Sequence, residues 1–262
     1  MAIDVNQVTI AYPGYNTQWG IEQYLFGCQG NDLQHSRKAD KIDVSGFGTR
    51  KRNSIPGMQD GSLKIKGLAT MDRGTMNWQL AQWFGRKSPV NAWFALEGLD
   101  LGLPLTMQPS SIIDHSISAK LKDAVDFDLE LDSRGAFDDG TILLSPTTLL
   151  VGSSGTGILR DDTNYGGATT SGAAAQLHVW AFDGGTTPSV TVTLQHSPDG
   201  TTWTSFPAAY NFTVANTLSS QRIQIPAGIT INQKIQAIWT TTGSPTDVQV
   251  LCGFARTPNL NV

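Results

Sequence analysis

Between Ser116 and Asp132 the chain alternates polar and apolar positions. Ile117, Ala119 and Leu121 interleave with Ser116, Ser118 and Lys120. After Lys122-Asp123, Val125, Phe127, Leu129 and Leu131 interleave with Asp126, Asp128, Glu130 and Asp132. A period of two sends successive side chains to opposite faces of a strand. The pattern therefore predicts a hairpin over 115–132, with its turn at Lys122-Asp123 and four successive carboxylates on one wet face. Like charges on such a face lie roughly 6.6 Å apart, so water or the opposing Lys120 is expected to moderate their repulsion. Upstream, Ile42 and Val44 predict a short strand, and Leu63, Ile65 and Gly67 resume the alternation. The intervening 45–61 is rich in Gly, Arg, Lys, Asn and Pro, which predicts a long loop of the kind that carries function or moves.

One stretch follows a helical period. Met76, Leu80, Trp83 and Phe84 recur at i, i+4, i+7 and i+8, with Thr70 or Asp72 placed to cap. Gly85 tolerates a positive φ just past the end, and Arg86 and Lys87 sit near the negative end of the dipole. This predicts one amphipathic helix over 71–84, laid on a sheet. From about Ser145 the texture changes to short β-branched runs between Gly, Ser and Pro. Strands are expected at Gln176–Phe182, Ser189–His196, Thr201–Phe206, Ser220–Ile225, Lys234–Thr240 and Val248–Phe254. Ser197-Pro198-Asp199-Gly200 reads as a turn, as do Thr186-Thr187-Pro188 and Gly243-Ser244-Pro245. The fold class is thus all-β with one flanking helix: a β-sandwich or barrel followed by a second β-sandwich.

Charge supports a division. Of the 18 Lys+Arg and 22 Asp+Glu, residues 1–140 hold 14 and 17, and residues 141–262 hold only 4 and 5. The expected domains are 1–144 and 145–262. The net charge of −4 argues against general attraction to nucleic-acid phosphates. Cys28 and Cys252 stand far apart, which reads as two reduced thiols rather than a disulfide framework. The opening MAIDVNQVTI has no basic n-region, and no stretch reaches the ~18 apolar residues of a membrane span.

Candidate chemistry is sparse. The row Asp126, Asp128, Glu130 and Asp132 reads as a solvated face, a deliberate negative lining, or a catalytic pair. The last needs two facing carboxyls, one with a raised pKa, and an open strand face offers no burial to raise it. His35, His115, His178 and His196 lie in separate segments with no metal-ligand spacing. No nucleophile elbow, phosphate loop or dinucleotide motif occurs. No enzymatic activity and no cofactor is expected. Arg50-Lys51-Arg52 reads as a solvated loop tip, an inter-subunit contact or a weak DNA footprint. Trp180, Trp203, Tyr210 and Trp239 read as core or as a sugar-stacking platform.

Four stretches carry a family resemblance. Arg37-Lys38-Ala39-Asp40-Lys41-Ile42-Asp43-Val44-Ser45-Gly46-Phe47-Gly48 is similar to the R-x-A-D-x-[IL]-D-V-T-x-F-G run of major tail tube proteins of long-tailed (siphovirus-type) bacteriophages, especially those of actinobacterial hosts. Ile55-Pro56-Gly57-Met58-Gln59-Asp60-Gly61-Ser62-Leu63 resembles their IPGLxDGSL segment, at a fitting distance. Leu177-His178-Val179 and Gln195-His196-Ser197-Pro198-Asp199-Gly200-Thr201-Thr202-Trp203 resemble features of the C-terminal sandwich domain appended to many of them.

The resemblance implies a structural subunit that closes into rings, with a hexamer the expected order and, if residues 145–262 join the wall, a trimer of six-fold-like appearance the alternative. The rings stack into a virion tail assembled in the host cytoplasm, through whose channel DNA passes without sequence-specific binding. Implied partners are further copies of the chain, a tape measure protein, and terminator or baseplate proteins. On this reading Asp126, Asp128, Glu130 and Asp132 face the lumen, with the helix outside. Arg50, Lys51, Arg52, Ile55, Pro56 and Asp60 belong to a loop that reaches the next subunit or ring. The alternatives are a carbohydrate-binding or adhesion protein, which predicts glycan binding lost on Trp203→Ala, and another tail component such as a terminator or baseplate protein.

Overall fold

The computed structural model describes residues 17–26, 30–43, 54–69, 76–119, 125–135, 137–146, 154–162 and 167–257. It is an all-β protein with one short α-helix. The strands, in chain order, are β1 (Gln18–Ile21), β2 (Tyr24–Leu25), β3 (Gly30–Asp43), β4 (Ser54–Leu68), β5 (Val90–Ala95), β6 (Pro104–Ala119), β7 (Val125–Ser133), β8 (Asp138–Leu144), β9 (Ser154–Thr156), β10 (Arg160–Asp161), β11 (Ala173–Asp183), β12 (Ser189–Ser197), β13 (Thr204–Ser205), β14 (Ser219–Ile225), β15 (Lys234–Thr242) and β16 (Asp247–Arg256), with helix α1 at Met76–Trp83. They pack as two compact units, each assembled from separated stretches of chain. One draws on 28–90 and 108–137, the other on 14–27, 91–107 and 138–262.

The first unit is built on antiparallel strands in the order β3-β4-β7-β6. The alternation of β7 is realised as expected: Phe127, Leu129 and Leu131 are buried while Asp126, Asp128 and Asp132 are exposed. Leu33, Leu63 and Ile65 continue the same apolar face on β3 and β4. Three expectations need correction. Ser54–Gly61 is not loop: it pairs with Arg37–Asp43, across a bulge between Ala39 and Lys41, so a 14-residue β3 replaces the short strand at Ile42–Val44. Pro56 fits there because, among the described residues, β4 has β3 alone beside it at that level, so its missing N–H interrupts no second ladder. The first arm of the 115–132 hairpin exposes Ile117 and Ala119, because none of the described residues covers that end of β6 on either face. On α1, Asn77, Leu80 and Trp83 are buried, but Phe84 has turned out to solvent.

Helix α1 ends as its sequence requires. Phe84 N–H still donates to Leu80 O, Arg86 N–H donates to Trp83 O, and Gly85 takes φ +75°. Asn77 meets His115 Nε2 at 3.2 Å. His115 stands opposite Leu129, so α1 lies over the apolar face of the sheet. At the other end of that face the Phe137 ring covers Gly61 so closely that an added Cβ would run into it. Arg37 lies 4.8 Å over the same ring and His35 meets its edge at 4.4 Å.

The second unit is a β-sandwich. One sheet contributes β14-β11-β16-β8, continued by the first residues of β6 and by β5, β1 and β2. The other runs β10-β15-β12-β13, with β9 also on β15. Leu177, Val179, Val250, Cys252 and Phe254 from the first meet Val190, Val192, Leu194, Ile235, Ala237 and Trp239 from the second. The long strands β11, β12, β14, β15 and β16 match their expected spans closely. The expected Thr201–Phe206 strand shrinks to β13, because Thr201 and Thr202 donate backbone N–H groups to the Asp199 carboxylate and stay in the turn. Ser197 Oγ closes the other side, accepting from Gly200 N at 2.7 Å. Those donors, Thr202 first, hold the Asp199 carboxyl well below the usual carboxylate range.

His178 lies wholly inside this unit. It donates to the Glu22 carbonyl, and its Nε2 sits 3.1 Å from the Gln176 side-chain amide. Burial lowers its pKa to about 4 from 6.5, against the opposing pull of the Glu22 hydrogen bond. Above pH 6.5 the folded and unfolded chains both hold it neutral, and stability has its full value. As pH falls through 6.5 the unfolded chain binds a proton that the folded chain refuses until about pH 4. Stability is expected to drop across that window, by about 3 kcal/mol. Thermal melts of wild type and His178→Gln between pH 4 and 7.5 check this. The difference between the two melting curves should shrink as pH falls, and a constant difference would refute it.

Candidate functional site

The wet face of the β3-β4-β7-β6 sheet gathers most of the charge in the described residues of the first unit. The register sets Asp32, Lys66, Asp128 and Ser116 in one row across the strands, and Gln34, Lys64, Glu130 and Asp114 in the next. Ser36, Ser62, Asp132 and Ser111 form a third, and Lys38 stands opposite Asp60 beyond it. Seven carboxylates (Asp32, Asp60, Asp114, Asp126, Asp128, Glu130, Asp132) thus share the face with three ammonium groups (Lys38, Lys64, Lys66).

Two of the lysines neutralise the centre of the acidic row. Lys64 Nζ lies 3.0 Å from Glu130 and Lys66 Nζ lies 3.1 Å from Asp128. The pairs are solvent-exposed, worth a few tenths of a kcal/mol each. Their main effect is to fix the lateral positions of charge. Asp126 and Asp132 face Leu68 and Ser62 instead, so the two ends of the row stay uncompensated. The partner expected from sequence, Lys120, lies outside the described residues. The alternation Ser62-Leu63-Lys64-Ile65-Lys66 carried the signal for the true partners: it places both lysines on one face of a strand.

Asp60 is exposed on this same wet face. Ile55 and Pro56 stand in β4, paired with Ile42 and Lys41. Arg50, Lys51 and Arg52 lie outside the described residues. The described parts of β3 and β4 thus continue as a two-stranded arm past Ser62, where β7 stops pairing. Within the described residues β3 has β4 as its one registered neighbour, which leaves the far edge of a 14-residue strand with open backbone groups.

Among the described residues no other constellation competes. The histidines are dispersed: His35 is beside Phe137, His115 on α1's Asn77, His178 in the sandwich, and His196 stacked on Phe206 at 4.5 Å. No cluster of three potential metal ligands occurs among the described residues. Trp239 lies in the inter-sheet core and Trp180 stacks on Trp93 at 5.5 Å, so these two do not join Trp203 and Tyr210 in one exposed platform. No helix among the described residues is long and apolar enough to cross a membrane.

No family model matches the chain, and no curated protein matches it. Among solved structures, it is similar to a chain of the virion of a native gene transfer agent particle, at 15% identity and TM-score 0.42, covering 49% of this chain and 98% of that one. It is similar to the SPP1 tail tube, at 10% identity and TM-score 0.39, covering 48% and 77%. The SPP1 Dit protein, described as a hub of the adsorption apparatus in phages infecting Gram-positive hosts, aligns over 92% of this chain and 99% of its own, at 8% identity and TM-score 0.33.

Proposed function

We propose that this chain is a structural component of a bacteriophage tail, and specifically a tail tube subunit whose rings stack into the channel for DNA. The observation that supports it best is the two-faced sheet of the first unit. One face is wet and acidic, the other is apolar and covered by α1, and the sheet ends on a long strand, β3, whose outer edge has no registered neighbour among the described residues. A monomer with such an edge risks uncontrolled pairing. In a closed ring the edge becomes the joint. Duplex binding is driven by cations that neutralise phosphates. A wall with seven carboxylates against three lysines keeps phosphate away, so DNA slides instead of sticking.

Dimensions favour six copies over three. Four strands about 4.8 Å apart give each copy roughly 19 Å of wall, so six give a barrel about 37 Å across between backbones before strand tilt widens it. Inward side chains leave about 25 Å, room for a duplex about 20 Å wide. Three copies giving four strands each, even tilted by about 40°, make roughly 24 Å between backbones, too little once side chains fill it, so a trimer needs residues 145–262 in the wall as well. The resemblance of residues 37–48 and 55–63 to tail tube proteins supports the same reading. It assigns tube formation to 1–144 and an appended role to 145–262, and it makes the β3-β4 arm, with Arg50, Lys51 and Arg52, the contact to a neighbouring copy. A lone two-stranded ribbon is marginal in water, which fits an arm that is completed by docking. Electron microscopy of the purified protein over a range of concentrations tests the proposal. Stacked rings or hollow tubes are expected; a protein that stays monomeric at every concentration, and beside any tail initiator, contradicts it.

A further inference from the structure

The two ends of the β3-β4-β7-β6 sheet complement each other in one register. Successive strands run alternately up and down, so β6 of one copy set beside β3 of the next continues the antiparallel order. Both strands have an open side: β3 is registered only with β4, and Ser116–Ala119 of β6 exposes every side chain and is registered only with β7, among the described residues. On the wet face β3 presents Gln34, Ser36 and Lys38, and β6 presents Asp114, Ser116 and Ser118. Lys38 and Asp114 are both exposed, and neither has an ion-pair partner among the described residues: Lys38 stands across from Asp60 beyond the central rows without pairing to it, and Asp114 stands across from Glu130, which Lys64 holds.

Resting on the tube reading, we infer that β3 of one copy pairs antiparallel with β6 of its neighbour with Lys38 opposite Asp114. This register puts Ser36 opposite Ser116 and Gln34 opposite Ser118, so hydroxyl and amide groups meet across the seam. On the other face it puts Leu33 opposite Ala119 and His35 opposite Ile117, which covers the apolar side chain that the single copy leaves exposed. Arg37 then stands opposite His115; both are already engaged, the first over the Phe137 ring and the second with Asn77. A slip of one residue carries Leu33 to the wet side, which a half-buried sheet forbids. A slip of six sets Asp32 against Asp114, two like charges directly opposed. Repeated around a closed ring, the favoured pairing is heterologous and uses each edge once.

Two experiments on the full chain test it. Charge reversal comes first. Lys38→Asp and Asp114→Lys are each expected to lower the assembled fraction about tenfold, and the two together to restore it to within about threefold. Second, Lys38→Cys with Asp114→Cys, in a Cys28→Ser background, should cross-link neighbouring copies through a short thiol-reactive reagent. Gln34→Cys with Asp114→Cys, offset by about 13 Å, should not. Assemblies that form normally but cross-link only through the offset pair, or show no rescue by the double reversal, overturn the register and leave the tube reading standing. Failure of the unsubstituted chain to assemble under any condition overturns both.

Discussion

Tubes built from Asp126→Lys/Asp132→Lys protein are expected to retain duplex DNA that wild-type tubes release. These two positions end the acidic row and lie away from the Lys64–Glu130 and Lys66–Asp128 pairs, so the substitution leaves both ion pairs and the apolar face of β7 in place. Each copy gains two positive charges and loses two negative ones. If the face lines a channel, many of them address one duplex at once. A protein making about 6–10 phosphate contacts loses roughly 10³–10⁵ in affinity between 50 and 200 mM salt. Retention by the variant should therefore be strong at low salt and collapse steeply as salt rises. The neutral variant Asp126→Asn/Asp132→Asn separates loss of repulsion from gain of attraction, and should bind weakly with a shallow salt slope. Variant tubes that assemble and ignore DNA at every salt concentration would mean that the acidic face does not see the channel.

The second large effect is on stability. Asp162, 4% exposed at its side chain, holds two arginines inside the sandwich unit: Arg160 Nε at 2.8 Å and Arg256 Nε at 2.6 Å. Both guanidinium groups are spent further on backbone carbonyls, Arg160 on Phe254 and Arg256 on Gly167 and Asn232. Burial pulls the Arg256 pKa down and the Asp162 charge opposes it. Removing the carboxylate leaves two mostly buried cations facing each other. Breaking a buried pair from one side costs about 3–5 kcal/mol, so Asp162→Ala should lower the melting temperature by about 10 °C. Asp162→Asn keeps the shape and loses the charge, and should fall nearly as far. A melting point for Asp162→Asn within a degree or two of wild type would show that the cluster is held by its backbone hydrogen bonds instead.

The sequence carried the class of the fold and most of the sandwich because its strands obey simple rules. Val190, Val192 and Leu194 alternate with Ser189, Thr191 and Thr193, and the following Ser-Pro-Asp-Gly turn is closed by its own side chains. The acidic row of β7 was legible for the same reason. Where reading failed, a tertiary contact outweighed composition. Ser54–Gly61 looks like loop because it is polar and holds Pro and glycines; it is a strand because β3 supplies a ladder and the Phe137 ring needs Gly61 bare beneath it. Ile117 and Ala119 alternate as a core face would, yet lie exposed at a sheet end that a single copy leaves uncovered. Trp93, Leu105, Met107 and Ile142 pack with Leu251 and Ala255 from near the other end of the chain, and local pattern contains no trace of that. The site itself was half legible: its carboxylates were evident, but the lysines that organise them come from a neighbouring strand whose register only the fold defines.

The most direct test of the central claim is a cryo-electron microscopy map of the assembled protein at a resolution that traces side chains. The account predicts a ring whose inner wall is the β3-β4-β7-β6 sheet, with Asp126, Asp128, Glu130 and Asp132 pointing into the channel and α1 on the outer side. A map with those four side chains on the outer wall, or a channel lined by another sheet, would contradict it.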